Sequence, residues 1–230
     1  MDTKKKKPPV AATILIIGDS GVGKTLLCQR IAKGHDLDQF QTQTTIGLDF
    51  VKVTYDFGTG REFVVHFVDA PGAVTARALV ASYYRGIDAI IAVYDVTMVK
   101  TFESLRDEWL PTAGETVGKQ NTTVLVVANK TDLWRQGEQK LAQLIEEHTR
   151  DLNLNVHERL MIKDNLVPAS ALCWKFPDRE TPFDAFVRRV IQRKAEHSGD
   201  AETSKRISLF ERDVDERGVR AGDEGSACTC

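Results

Sequence analysis

Residues 18–25, Gly-Asp-Ser-Gly-Val-Gly-Lys-Thr, combine small residues, a lysine and a hydroxyl in the order typical of a phosphate-binding loop. Glycines let the backbone wrap around a phosphate, so that successive N–H groups point at the anion. Lys24 adds a positive charge for the terminal phosphates, and the Thr25 hydroxyl is suited to coordinate Mg²⁺. A chance glycine-rich turn is the alternative, but a strand pattern precedes this segment and a helix pattern follows it. The sequence therefore predicts a nucleotide site.

A second apolar strand pattern, residues 64–68, ends in Asp69. A carboxylate at the end of a strand beside a phosphate loop is placed to bind the same Mg²⁺ through water, as a Walker-B carboxylate does. Strands often end in aspartate for purely local reasons, so Asp69 carries weight only together with the loop at residues 18–25.

Residues 129–132, Asn-Lys-Thr-Asp, follow a third apolar strand pattern at residues 123–128. The Asp132 carboxylate can accept hydrogen bonds from the N1–H and the exocyclic amine of guanine, whereas adenine offers no matching donors. The Lys130 stem can lie along the base, and Asn129 can tie this loop to the phosphate loop. A polar turn after a strand is the alternative. Three such motifs in this order indicate a guanine-nucleotide site.

Short β-branched runs alternate with amphipathic stretches along the chain, which predicts an α/β fold. The pattern implies a mixed, mostly parallel sheet with helices on both faces and ligands at the carboxyl ends of the strands. The predicted strands are residues 12–17, 64–68, 89–94 and 123–128, and the predicted helices are residues 24–33, 76–84, 101–117, 138–151 and 182–195.

From composition we expect the 230 residues to divide into a disordered basic N-terminal tail (1–9), one domain (10–197) and a flexible, polar C-terminal linker (198–230). No periodicity is visible from residue 152 to residue 167. Within the linker, the largely apolar patch at residues 207–210 fits either a site for a partner protein or a chance cluster.

Composition excludes several classes of protein. A formal net charge of -2 gives no electrostatic reason to expect nucleic acid as a partner. No apolar run approaches the roughly 20 residues of a membrane-spanning helix, and the N-terminus lacks the apolar stretch of a secretory signal. Four cysteines in a chain of this length do not form a disulfide framework. We expect an intracellular protein that does not span a membrane.

Together these motifs resemble the Rab family of small GTPases, over residues 10–197 and at the C-terminus. Residues 44–50 resemble that family's first switch, residues 83–86 the end of its second switch, and residues 93–97 the strand that follows. Ser170 and Ala171 resemble the loop whose backbone contacts the guanine oxygen. The resemblance implies the small-GTPase phosphate-loop fold and a GTP/GDP switch that recruits effectors in vesicle and membrane traffic.

The resemblance also assigns roles to individual residues. It makes Thr45 a ligand of Mg²⁺ in the GTP state and gives the N–H of Gly72 to the γ-phosphate. Lys24, Thr45 and Gly72 would serve hydrolysis, and Thr25, Thr45 and Asp69 would hold the metal. The implied nucleotide contacts are Asp19, Ser20, Gly21, Val22, Gly23, Lys24, Thr25, Thr45, Gly72, Asn129, Lys130, Asp132, Ser170 and Ala171. The implied switch and effector-binding residues are Ile46, Gly47, Phe50, Val68 and Tyr83.

The terminal Cys228-Thr-Cys230 fits the family's double geranylgeranylation signal. Two lipid chains hold a protein on a membrane firmly, whereas one chain anchors it only marginally. A metal half-site or unused tail residues are the alternatives. The implied partners are an exchange factor, a GTPase-activating protein, effectors, a prenylation escort and a GDP-dissociation inhibitor. The implied location is the cytoplasmic face of an internal membrane, with a cytosolic pool.

The sequence departs from the family pattern after the second strand. Ala73 stands where the family has a glutamine that orients the attacking water, and a methyl group cannot do so. Pro71 stiffens the preceding backbone, Val68 replaces a tryptophan, and Leu172 replaces a lysine. Two explanations remain open: a slow GTPase that depends on an activating protein, or a hydrolysis-deficient, GTP-bound binding module. An ATPase or kinase is disfavoured by the guanine-type loop at residues 129–132.

Overall fold

The computed structural model describes residues 10–33, 45, 47–57, 61–117, 122–155, 157–162, 166–172, 181–201, 203–205 and 207–208. The strands are β1 (Val10–Ile17), β2 (Asp49–Tyr55), β3 (Phe63–Asp69), β4 (Ala89–Asp95), β5 (Thr122–Asn129), β6 (Leu160–Met161) and β7 (Leu166–Pro168). The helices are α1 (Lys24–Lys33), α2 (Arg77–Tyr83), α3 (Val99–Ser104), α4 (Leu110–Thr116), α5 (Glu138–Asn155) and α6 (Pro182–His197). Within these ranges no helix is long and apolar enough to cross a membrane.

The strands form one mixed sheet in the order β2-β3-β1-β4-β5-β6, with β7 also paired to β5. Only the β2–β3 pairing is antiparallel among these neighbours, and all others are parallel. The predicted mixed, mostly parallel sheet is therefore confirmed. Parallel pairing collects the carboxyl ends of β1, β3, β4 and β5 at one edge. Asp69 lies beside Ile16, and Asn129 lies beside Asp95.

Both faces of the sheet are covered, and β1 shows how. Its residues Ile14 and Ile16 belong to one apolar core, whereas Leu15 and Ile17 belong to the other, and all four are fully buried. The first core also contains residues of α1 and α6, and the second contains residues of α2, α4 and α5. Because helices cover both faces of the sheet, every side chain in this part of β1 is buried, and the sequence here is a continuous apolar run.

The helix predicted at residues 101–117 is interrupted. α3 passes into a π-helical segment, Leu105–Trp109, before α4 begins. A π-helical turn holds one residue more than an α-helical turn, and such segments are frequent at functional sites. The helical period alone did not reveal this segment, because the apolar residues on either side of it remain on the buried face.

The sequence analysis did not find β2, β6 or β7. β2 is an edge strand whose residues are exposed or half-buried, so it lacks the apolar run that marks the central strands. β6 and β7 hold two and three residues and fall in the stretch without periodicity. Strands this short are fixed by pairing with β5, and pairing is a tertiary property.

The packed part of the chain extends past the boundary predicted at residue 197. Ile207 is fully buried in the core that α6 lines, so it is not available to an escort protein in this conformation. Arg61, just before β3, bonds the side chains of Asp200 and Thr203 at 2.5 Å each. These contacts correct the expectation that a flexible linker begins at residue 198.

We expect Ile207→Ala to lower the free energy of unfolding by about 2 to 4 kcal/mol, the usual effect of truncating a buried isoleucine. Leu154→Ala serves as the control because Leu154 is 78% exposed, and its effect should stay within about 0.5 kcal/mol. Urea denaturation of the full chain followed by circular dichroism measures both. Equal stability of the two variants would show that Ile207 does not pack into the core in solution.

Candidate functional site

The phosphate loop, residues 18–25, connects β1 to α1 at the carboxyl edge of the sheet. Gly18 and Gly23 have φ values of 135° and 95°, in the region that favours glycine. A side chain at Gly18 would collide with the backbone carbonyl of Val93, and a side chain at Gly23 would collide with the side-chain amide of Asn129. The glycines are therefore required both by the backbone path and by the close approach of β4 and β5.

Lys24 is the buried cation of this loop, with 6% of its surface exposed. Its Nζ donates hydrogen bonds of 2.8 Å to the carbonyls of Gly18 and Asp19. Burial lowers the pKa of Lys24 to about 8, opposed by the carboxylates of Asp69 and Asp19. A bound phosphate would favour the charged form further, because opposite charges attract strongly out of water.

Three oxygen-bearing side chains meet beside Lys24. The Thr25 hydroxyl donates to Oδ2 of Asp69 at 2.6 Å and lies 2.7 Å from the Thr45 hydroxyl, which is 3.3 Å from the same carboxylate oxygen. Oδ1 of Asp69 is buried and finds no hydrogen-bond partner among the residues that the structure describes. Burial raises the pKa of Asp69 above its usual range, opposed by the Thr25 hydroxyl and Lys24. Hard oxygen donors with an unsatisfied carboxylate atom fit Mg²⁺.

The loop after β3 lies directly on the phosphate loop at Gly72. A side chain at Gly72 would collide with the backbone of Asp19 and Ser20 and with the Lys24 ammonium. Only glycine therefore allows this approach. Ala73 follows with extended backbone, φ -70° and ψ 141°, and begins a short 3₁₀ turn, Val74–Ala76. Its methyl group presents no hydrogen-bonding atom to this region.

Asn129 joins the two halves of the site. Its Nδ2 donates to the carbonyl of Val22 at 2.8 Å, and its Oδ1 accepts from the backbone N–H of Ala171 at 3.1 Å. Ser170 donates to Oδ1 of Asp132 at 2.5 Å, which fixes the carboxylate that the sequence analysis assigned to guanine. The structure thus brings the predicted base-recognition residues together and links them to the phosphate loop.

Lys130 adopts a left-handed conformation, φ 65°, that non-glycine residues rarely take. Its Nζ pairs with Oδ2 of Asp95 at 2.8 Å, and Asp95 is itself held by both the N–H and the hydroxyl of Thr97. Backbone strain of this kind persists where surrounding contacts impose it, and it clusters at binding sites. Asp95 was not among the predicted site residues.

Arg30 is a second residue that the sequence analysis missed. It lies on α1, is 7% exposed, and bonds the carbonyls of Ala171 and Leu172 at 3.0 and 3.1 Å. The guanidinium thereby holds the loop that carries Ser170. An arginine three positions after Leu27, on the same face of an amphipathic helix, is the signal that could have identified it, since a buried charge requires a partner.

The predicted switch residues have different environments. Phe50 is 58% exposed, Gly47 is exposed and Tyr83 is half-buried. Val68, which lies opposite Phe50 in the β2–β3 register, is only 2% exposed and belongs to the core. Val68 therefore offers no contact surface, which corrects its assignment to the effector-binding face. Ile46, Cys228 and Cys230 lie outside the described residues.

A glycine loop between a strand and a helix, with a buried lysine, two hydroxyls and a carboxylate beside it, defines a phosphate-loop nucleotide-binding protein. Comparison with known proteins gives the family: a model described as Ras family matches residues 13–158. The chain belongs to the Ras family, and its relatives are Rab-type small GTPases.

Three relatives illustrate the similarity. Ras-related protein SEC4 of Saccharomyces cerevisiae is 38% identical over 52% of this chain and 54% of its own length. Rab-1A of Dictyostelium discoideum is 40% identical over 52% of this chain and 57% of its own length. Rab-10 of Caenorhabditis elegans is 33% identical over 72% of this chain and 82% of its own length. The chain spans a little over half the length of the first two relatives.

We expect Lys24→Ala to abolish retention of GDP, because the cation that faces the phosphates is lost. Equilibrium binding of fluorescent GDP measures this, and circular dichroism checks that the variant remains folded. Exposed Lys33, at the end of the same helix, provides the matched control as Lys33→Ala. Retention of GDP by Lys24→Ala at the wild-type level would contradict the assigned phosphate site.

Asp132→Asn should weaken selection of guanine, because an amide replaces one carboxylate oxygen with an N–H group that cannot accept from the base. GDP affinity should fall by about a hundredfold or more, since one charge-assisted hydrogen bond is lost and the other loses its charge. Competition between GDP and xanthosine diphosphate, which carries a carbonyl in place of the exocyclic amine, measures the change. Unaltered preference for GDP would place base recognition elsewhere.

Proposed function

We propose that this protein is a Rab-like GTPase switch that binds GTP and GDP with Mg²⁺ and hydrolyses GTP to GDP and phosphate. The observation that carries the proposal is the meeting of Thr25, Thr45 and Asp69 oxygens beside Lys24. Mg²⁺, when bound, would neutralise charge on the terminal phosphates. Family membership and the Asn129–Asp132 loop support guanine as the base.

In this proposal no side chain acts as a nucleophile. Water attacks the phosphorus of the third phosphate, the bond from that phosphorus to the oxygen of the second phosphate breaks, and GDP is the leaving group; the chain contributes charge and position. Lys24 stabilises the phosphate oxygens, the Thr45 hydroxyl would be one of the oxygens that hold Mg²⁺, and the Gly72 N–H is available to the third phosphate. Thr45 lies in the segment before β2, and Gly72 lies in the loop after β3. Loss of the third phosphate would release both segments, and partner proteins would recognise the change.

Hydrolysis without an activating protein is expected to be slow, because Ala73 supplies no group to orient water. Buried Pro71 two residues earlier restricts the backbone and adds to this expectation. The same observation supports one alternative, a GTP-bound binding module that has given up hydrolysis. The two differ in the nucleotide that the purified protein carries: GDP for a slow GTPase, and GTP still present after hours for a binding module.

The cellular role follows from family resemblance: recruitment of effectors in vesicle and membrane traffic. Geranylgeranyl groups on Cys228 and Cys230 would hold the protein on an internal membrane, delivered by a prenylation escort and retrieved by a GDP-dissociation inhibitor. An exchange factor and a GTPase-activating protein would control the switch. Exposed Phe50, Val74 and Leu79 supply apolar side chains for effectors, at 58%, 71% and 48% exposure.

Single-turnover GTP hydrolysis tests the proposal. We expect the wild type to be slow and Ala73→Gln to be faster by about ten- to hundredfold, because an amide can bond the attacking water. Ala73→Asn is the matched control, since the same amide on a shorter side chain does not reach as far. A wild type that already turns over as fast as Ala73→Gln would refute our interpretation of Ala73.

A further inference from the structure

The carboxylate of Asp19, in the phosphate loop, accepts hydrogen bonds from side chains of two separate helical regions. Its Oδ1 accepts from Nε1 of Trp109 and from the Ser104 hydroxyl at 2.8 Å each, and from Arg77 at 3.3 Å. Ser104 and Trp109 lie at the end of α3 and in the π-helical segment, whereas Arg77 begins α2. One oxygen therefore joins the phosphate loop to both regions.

Arg77 is held in place by the π-helical segment from two directions. Its second terminal nitrogen pairs with Glu108, and its guanidinium carbon lies 5.2 Å from the centre of the Trp109 ring, within cation–π distance. Only a planar guanidinium can bond two carboxylates while also facing an aromatic ring. The contacts with Asp19, Glu108 and Trp109 therefore determine where α2 begins relative to the phosphate loop.

The position of Arg77 matters because of the loop that precedes it. That loop contains Gly72, which lies against Asp19, Ser20 and Lys24 too closely for any side chain. At its start, Asp69 is bonded by Thr25, and at its end Arg77 is bonded to Asp19. Both ends of the segment 69–77 are thus hydrogen-bonded to the phosphate loop or to the start of α1. Ala73, between them, provides no polar side-chain contact.

We infer that Arg77 is a positioning residue that holds the Gly72 loop against the site of the third phosphate, acting through Asp19 with Trp109 and Ser104. This inference rests on the proposed function. GDP is bound by the phosphate loop and the guanine loop, whereas the third phosphate of GTP also faces the Gly72 loop. Loosening that loop therefore weakens GTP binding and leaves GDP binding intact.

A purely structural role for Arg77 predicts a different result. If the cluster only stiffened the phosphate loop, its loss would speed release of GDP and GTP by the same factor, because both nucleotides use that loop. The ratio of the two release rates therefore distinguishes positioning of the Gly72 loop from general support of the fold.

The test measures release of fluorescent GDP and of a fluorescent, non-hydrolysable GTP analogue from the full chain with Mg²⁺. We expect Arg77→Met to release the GTP analogue about three- to tenfold faster, the usual effect of removing charge-assisted hydrogen bonds at a partly exposed site, with GDP release within twofold of wild type. Arg77→Lys should lie between Arg77→Met and wild type, because an ammonium keeps the charge but cannot bond both carboxylates in the same way.

Trp109→Phe removes the N–H donor to Asp19 and keeps an aromatic ring beside Arg77. It should also speed release of the GTP analogue and not of GDP, but by a smaller factor than Arg77→Met. Arg150→Met is the control for loss of a positive charge, since Arg150 lies on α5 and its side chain is 65% exposed. This control should release both nucleotides at wild-type rates.

An equal increase for GDP and the GTP analogue in Arg77→Met, or no change in either, would overturn the inference while leaving the proposed function intact. A wild type that binds neither nucleotide would instead refute the proposed function, and the inference with it. A selective increase that Arg150→Met also shows would mean that overall charge, not the position of Arg77, controls GTP binding.

Discussion

The site depends on keeping one ammonium group out of water. Lys24 is buried beneath the phosphate loop, where desolvation lowers its pKa to about 8, and it remains satisfied because two loop carbonyls turn toward it. Carbonyls can do so only where the backbone follows the path that Gly18 and Gly23 allow. A desolvated cation surrounded by backbone dipoles binds phosphate far better than an exposed lysine. This arrangement depends on the spacing of the glycines, on the buried end of β1 and on the start of α1.

Parallel pairing in the sheet converts separate sequence motifs into one site. Adjacent strands end at the same edge, so the loops after β1, β3 and β5 face one another without long connections. The Asn129 side chain then hydrogen-bonds both the carbonyl of Val22 and the N–H of Ala171, and so connects the two loops. Phosphate recognition and base recognition consequently share one rigid edge. Neither half can shift without changing hydrogen bonds in the other.

The binding groups and position 73 belong to different parts of the molecule. The oxygens of Thr25, Thr45 and Asp69 are fixed by the ends of α1 and β3 and by one another. Position 73 lies in the loop beyond β3, where its side chain does not contribute to this cluster. A sequence can therefore keep every binding residue and still have alanine at position 73. In the proposed function, the residues that retain the nucleotide are therefore separate from the position that affects its hydrolysis.

Much of the fold and site follows from local sequence, because central strands, amphipathic helices and the three nucleotide motifs are short contiguous patterns. Edge strand β2 and the burial of Ile207 do not, because an edge strand lacks an apolar run and the short patch at residues 207–210 shows no periodicity. The order of residues along the chain sets which chemical groups are present. Which distant groups meet depends on how the chain packs: Arg30 bonds a loop 141 residues away, and Arg77 bonds Asp19 across 58 residues. A partly or fully buried charge requires a partner, and packing decides which partner lies within reach.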